Sequence, residues 1–153
     1  MKLEPLFEMR ADLETGVPVG SGPYGTRSIV GVTGGSIEGP RLRGQLLAGG
    51  GDWLLIRPDG KSALLDVRAT ARTHDGAFLY LQYYGVIEIT PNVQAALASG
   101  SASTEYGEHY FVTQPRFETG DPRYAWLNDV MAVGEGRLRP NAVEYRIYHA
   151  RPG

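Results

Sequence analysis

Short stretches in which apolar and polar residues alternate, each ended by glycine, proline or aspartate, recur along the whole chain. Successive side chains of a strand point to opposite faces, so a period of two predicts strands rather than helices. The stretch 64–85 shows the pattern most fully. Leu65, Val67, Ala69 and Ala71 alternate with Asp66, Arg68, Thr70 and Arg72, and Asp75-Gly76 marks a tight turn before a second run ending at Gly85. With Asp75 and Gly76 as a two-residue loop, Arg72 falls opposite Leu79, Thr70 opposite Leu81, Arg68 opposite Tyr83 and Asp66 opposite Gly85. That register gathers Asp66, Arg68 and Tyr83 on one face, either a solvated outer surface or the polar wall of a pocket.

Upstream, Leu3–Leu13 predicts a first strand with Pro5 near an edge. Residues 14–25 read as a long Gly- and Pro-rich loop of the kind that borders a binding site, and 26–33 as a second strand. Gly34-Gly35-Ser36-Ile37 reads as a turn and Arg41–Leu47 as a third strand. Gly49-Gly50-Gly51-Asp52-Trp53 opens a strand that runs through Arg57 to a turn at Pro58-Asp59-Gly60. Downstream, Val86–Ile89 leads into Thr90-Pro91, an N-cap followed by a first-turn proline, and a helix with Val93, Ala96 and Leu97 on one face closes at Gly100. Glu108–Gln114 predicts a strand and Arg116–Pro122 an irregular piece. Tyr124–Val133 and Ala142–Ala150 predict the last two strands, joined through Gly134-Glu135-Gly136 and Arg139-Pro140-Asn141. Together these elements predict one all-β domain over residues 1–153, an antiparallel β-barrel or strongly coiled sheet with one short helix at Pro91–Ser99.

Composition narrows the chemistry. A chain of 153 residues can bury roughly two thirds of its unfolded surface, and the 21 glycines and 10 prolines suit many turns. With no cysteine, disulfides, thiolate nucleophiles and cysteine–zinc sites are excluded. A net charge of −2 with dispersed Arg and Lys argues against nucleic acid. No apolar run reaches signal or membrane-spanning length, so the expectation is a cytoplasmic protein without membrane attachment. The isolated His74, His109 and His149 form no metal-binding spacing, and the glycine runs lack the Lys-Ser/Thr or helix start of a phosphate loop. No Gly-x-Ser-x-Gly elbow is present. No metal and no cofactor is expected, and association with copies of itself stays open.

What remains is carboxylate, phenol and aromatic chemistry. Asp66 or Asp52 is the candidate general base and Tyr83 or Tyr110 the candidate acid, with Arg68 close enough on the strand to steady charge on oxygen. Trp53, Glu118, Tyr124, Trp126 and Asn128 are candidate substrate contacts, although tryptophans such as Trp53 and Trp126 are usually hydrophobic core. An inward Asp66–Arg68 pair would need a reason other than stability, because desolvating both charges costs about what their attraction returns.

Gly-Pro-Arg-Leu-Arg-Gly (39–44), Gly-Gly-Asp-Trp (50–53), Leu-Asp-Val-Arg (65–68), Asp-Gly-Ala (75–77), Tyr-Phe-Val-Thr-Gln-Pro-Arg-Phe-Glu-Thr-Gly (110–120) and Tyr-Ala-Trp-Leu-Asn (124–128) carry a resemblance. Across nearly its whole length the chain resembles the domain-of-unknown-function 3237 family, an uncharacterised protein family. The resemblance implies a small closed β-barrel, lipocalin-like or allene-oxide-cyclase-like in outline, with no general activity attached. Val112 stands where the family tends to have arginine. Three function classes follow, in order: an enzyme for proton-transfer chemistry on a small organic substrate (isomerase, cyclase or lyase), a non-catalytic ligand-binding barrel, and a structural or oligomerisation module.

Overall fold

A computed structural model describes residues 1–153. Ten strands form one antiparallel sheet: β1 (Lys2–Leu13), β2 (Val17–Gly22), β3 (Gly25–Glu38), β4 (Arg43–Leu46), β5 (Gly50–Ile56), β6 (Ser62–Thr73), β7 (Phe78–Glu88), β8 (Phe111–Glu118), β9 (Ala132–Arg139) and β10 (Ala142–Arg151). The helix α1 spans Pro91–Ser99, and a 3-10 helix spans Pro122–Asp129. From β1 the sheet runs through β10, β9, β8, β7 and β6 to β4 and β5, which both bridge to β3, and β1 pairs with β3 to close the ring. The expected antiparallel barrel with one short α-helix is the fold.

The inner face carries the apolar half of each alternation. Ala63, Leu65, Val67, Ala69 and Ala71 of β6 are buried with Leu79, Leu81, Tyr83 and Ile87 of β7, whereas Arg68, Thr70 and Arg72 face outward. Small alanines on β6 leave room for large side chains from other strands. Phe7 packs edge-on to Phe117, and Tyr145 packs edge-on to both Tyr83 and Phe111, with centroids 5.3–5.6 Å apart. The barrel interior is therefore filled by side chains. α1 begins as its sequence predicts: Thr90 Oγ1 accepts from Val93 N–H, Pro91 occupies the first turn, and Gly100 closes the helix at φ 65°. Val93 and Ala96 are buried, while Leu97 stays exposed.

Several expected elements differ. Residues 17–22 form strand β2, hydrogen-bonded to the first half of β3, in place of a loop. Gly34 and Gly35 lie within β3 rather than in a turn, because there β3 passes directly against Arg10 and Ala11 as it closes the barrel. Arg116–Glu118 continues β8, and Gly134-Glu135-Gly136 lies inside β9. Residues 124–129 are 3-10 helix instead of strand, started by Asp121, whose side chain accepts from Arg123 N–H, and by Pro122. Pro5 sits at an irregularity of the β1–β10 ladder, in the first part of β1 that pairs with no strand on its other side, the edge position expected.

Candidate functional site

The central hairpin turns on three residues, not two. Thr73 pairs with Ala77 through Thr73 N–H to Ala77 C=O at 2.8 Å, and Gly76 takes φ 92°. Asp75 anchors this turn, accepting from Thr73 Oγ1 at 2.6 Å and from the Tyr124 hydroxyl at 2.8 Å, with Arg123 3.2 Å away. The extra turn residue shifts the register by one. Asp66 pairs with Tyr84, Arg68 with Gln82 and Val67 with Tyr83. Since a one-residue slip moves a side chain to the other face, Tyr83 points into the core, separated from Asp66 and Arg68 by the sheet itself. Its hydroxyl donates to that of Tyr145 at 3.2 Å, and burial raises both phenols well above their ordinary pKa.

Asp66 instead lies on the floor of an outer groove of about 500 Å³ that crosses β5, β6, β7 and β8. Trp53, Leu55, Leu64, Tyr84, Val86 and Val112 give it apolar and aromatic walls, with Arg27, Thr113 and Gln114 as its further polar side chains. Trp53 and Tyr84 are 39% and 57% exposed, so their rings are open to a ligand. Asp66 Oδ1 has no accessible surface and no hydrogen-bond partner. A buried acceptor without a partner is costly in an ordinary structural position.

The wall beneath the groove is open. β5 and β6 pair at Gly51/Arg68 and Asp52/Val67, and again at Leu55/Leu64 and Ile56/Ala63, but not at Trp53/Asp66 or Leu54/Leu65. Two side chains satisfy the backbone groups released there. Asp66 N–H donates to Asp52 Oδ1 at 3.0 Å, and Arg27 Nη1 donates to Trp53 C=O at 2.8 Å. Asp52, whose position in the ladder puts it on the inner face beside Val67, thus reaches the gap from within. Burial raises its pKa to about 7 and the nearby Asp66 carboxylate adds to the rise, while the hydrogen bond from Asp66 N–H and the Arg27 charge oppose it.

The remaining predicted residues scatter. Arg68 is exposed on the outer face with its guanidinium 5.8 Å from the centre of the Trp53 ring, and it forms no ion pair with Asp66. Glu118 and Asn128 line a second, polar groove of about 350 Å³, together with Tyr80, Gln82 and Arg116. Asn128 is held there by two hydrogen bonds with the Thr119 backbone. Tyr124 is buried against Asp75, Trp126 lies under the Arg41 guanidinium at 3.7 Å, and Tyr110 is exposed outside both grooves. Sequence reasoning missed Arg27 and Tyr84. Tyr84 is one position from Tyr83, and a three-residue turn would have brought it forward. Arg27, two strands away on β3, carries no local signal.

These features define a β-barrel with a filled interior and, on its outer wall, an aromatic groove that carries Asp66 and Arg27. The chain belongs to the family described as "Protein of unknown function (DUF3237)", whose model matches residues 1–150. It is 30% identical over 145 residues to a UPF0311 protein of Clostridium acetobutylicum, covering 94% of this chain and 90% of that one. A β-barrel-like protein from Acinetobacter baumannii superposes with a TM-score of 0.81 at 33% identity, over 98% and 96% of the two chains. Two fungal proteins are also similar. PR-toxin biosynthesis cluster protein 7 of Penicillium roqueforti is 33% identical over 106 residues, 67% of this chain and 55% of that protein. A structure described as an enzyme from Penicillium herquei matches with a TM-score of 0.69 at 20% identity, over 97% and 94% of the chains. Val112, the departure from the family pattern, falls in the groove.

Proposed function

We propose that this protein is an enzyme that moves a proton within a small organic molecule bound in the outer groove, as an isomerase, cyclase or lyase. The observation that carries this reading is the unpartnered, buried Asp66 Oδ1 on the groove floor. Its Oδ1 is held by no donor and is closed to solvent, so a turn of the carboxylate brings a free base to a substrate C–H or O–H in the groove. Asp66 takes the proton, and the electrons of the broken bond move toward a substrate oxygen. Tyr84, opposite Asp66 in the ladder, is placed to donate to that oxygen. Return of the same proton to a different atom completes an isomerisation or ring closure, and its transfer to a departing group completes an elimination, so none of these needs a co-reactant. Asp52, holding or releasing a proton near neutrality behind the floor, supports Asp66 from the inner side. The naming of one relative for a toxin biosynthesis cluster and of one neighbour as an enzyme fits small-molecule chemistry.

The test is turnover of a panel of small carbonyl, enol and lactone compounds by wild type, Asp66→Asn and Arg68→Ala. A compound turned over by wild type should lose about 100-fold or more in rate with Asp66→Asn, the usual worth of a positioned acid or base, while still binding. Full rate in a folded Asp66→Asn protein overturns the reading. Binding across the panel without turnover favours the second class, a ligand-binding barrel that uses the same groove.

A further inference from the structure

We infer that the molecule bound in the groove is an anion, a flat and largely apolar compound whose carboxylate or similarly acidic oxygen is held by Arg27 and Arg68 on either side of Trp53. This rests on the reading of the groove as the binding site and adds the class of substrate.

Charge around Trp53 is unbalanced on the outer face. Arg27 donates one N–H to the Trp53 carbonyl and forms no ion pair, and Arg68 lies over the Trp53 ring and forms none either. Arg10, Arg123, Arg137, Arg139, Arg146 and Arg151 meet carboxylates within 4.0 Å, and Arg41, Arg43, Arg57, Arg72 and Arg116 do not, so what distinguishes Arg27 and Arg68 is their place beside Trp53 at the groove. Arg27 lines the groove, Arg68 stands at its edge beside the Trp53 ring, and Asp66 is the only carboxylate among the lining residues. The Arg27 guanidinium is fixed by its bond to Trp53 and keeps further N–H donors for a ligand, and planar guanidinium suits the two oxygens of a carboxylate.

Shape and polarity set the rest of the molecule. Trp53 and Tyr84 offer aromatic surfaces, and Leu55, Leu64 and Val112 make the rest of the wall apolar, which favours a ring over a flexible polar chain. Asp66 lacks a donor, so the ligand's second polar group is a hydroxyl or enol O–H, or an acidic C–H, on the side away from the carboxylate. Such a molecule pairs its anion with the arginines and keeps it clear of Asp66.

The experiment is calorimetric titration of wild type with 4-hydroxybenzoate and 6-hydroxy-2-naphthoate, each beside its methyl ester, at low and at moderate salt. The acids should bind roughly tenfold more tightly than their esters, as a charge-assisted pair implies, and the preference should shrink with salt because the site is open to solvent. Arg27→Gln should bring acid and ester to near parity. Arg68→Gln, which touches no backbone bond, should lower the preference without a change in fold, so a destabilised Arg27 variant leaves the inference testable. Esters binding as well as acids, a preference that survives both arginine replacements, or no acid binding at millimolar concentration overturns it. Acid binding with no turnover of any compound would leave this inference standing while the enzymatic reading fails. Turnover of a neutral compound, with acids excluded, would do the reverse.

Discussion

The backbone N–H of Asp66 donates to the side chain of Asp52 at 3.0 Å, across a stretch where β5 and β6 no longer pair with each other. A side chain from the inner face of the barrel therefore completes the backbone of the residue that floors the outer groove. Asp52 holds the Asp66 backbone in place and sets a second carboxyl beside it.

That position makes Asp52 a determinant of stability against pH. Its carboxyl binds a proton more tightly folded than unfolded, with the pKa raised from 3.8 to about 7 mainly by burial. Its contribution is fully present below pH 3.8 and is lost as pH rises through 7. Wild type should lose stability across that window relative to Asp52→Asn, by at most a few kcal/mol because the group is partly open to solvent. Chemical denaturation at pH 4.5 and pH 8 checks this. An equal pH slope in both proteins would show that Asp52 ionises normally.

Asp75 has the opposite sign. Hydrogen bonds from Thr73 and Tyr124 hold its pKa down at about 2, so it stabilises the fold above the ordinary 3.8 and loses that effect as pH falls toward 2. Asp75→Asn should lower Tm by a few degrees at pH 7 and leave less difference from wild type at pH 2. Thermal scans at the two pH values measure the interaction that ties the hairpin turn to the 3-10 helix.

Tyr83 and Tyr84 should separate cleanly. Tyr83→Phe removes the hydroxyl that donates to Tyr145 inside the barrel and should cost about 1 kcal/mol of stability, with ligand affinity in the groove unchanged. Tyr84→Phe should leave stability within about 0.5 kcal/mol, as at an exposed position, and weaken turnover in the groove. Urea denaturation alongside activity on a panel compound tests both. A reversed result would mean the hairpin register is the one that a two-residue turn predicts.

Gly35→Ala should be strongly destabilising, by about 2 kcal/mol or more. Gly35 sits at φ 146°, and a Cβ there would run into the Arg10 carbonyl oxygen of β1. Gly49→Ala provides the control, since Gly49 also has a positive φ, 108°, but nothing within 4 Å of the added carbon. The difference between the two ΔΔG values isolates the close approach that shuts the barrel.

Sequence alone determined what depends on neighbours in the chain. The cap at Thr90-Pro91 and the stop at Gly100 follow from the backbone needs of a helix end, and the alternation from Leu65 to Arg72 follows from the pleat of a strand. Both were legible residue by residue. Tertiary structure decided which partner each strand met and which face turned outward. The Thr73–Ala77 turn depends on Asp75 bridging to Tyr124, 49 residues away, and its extra residue carries Tyr83 inward and Tyr84 to the groove. Residues 124–129 alternate well enough for a strand, yet capping by Asp121 and burial of Tyr124 and Leu127, three residues apart, made them a 3-10 helix. Arg27 joined the site only because β3 lies beside β5, a pairing made by closure of the ring and invisible to any local pattern.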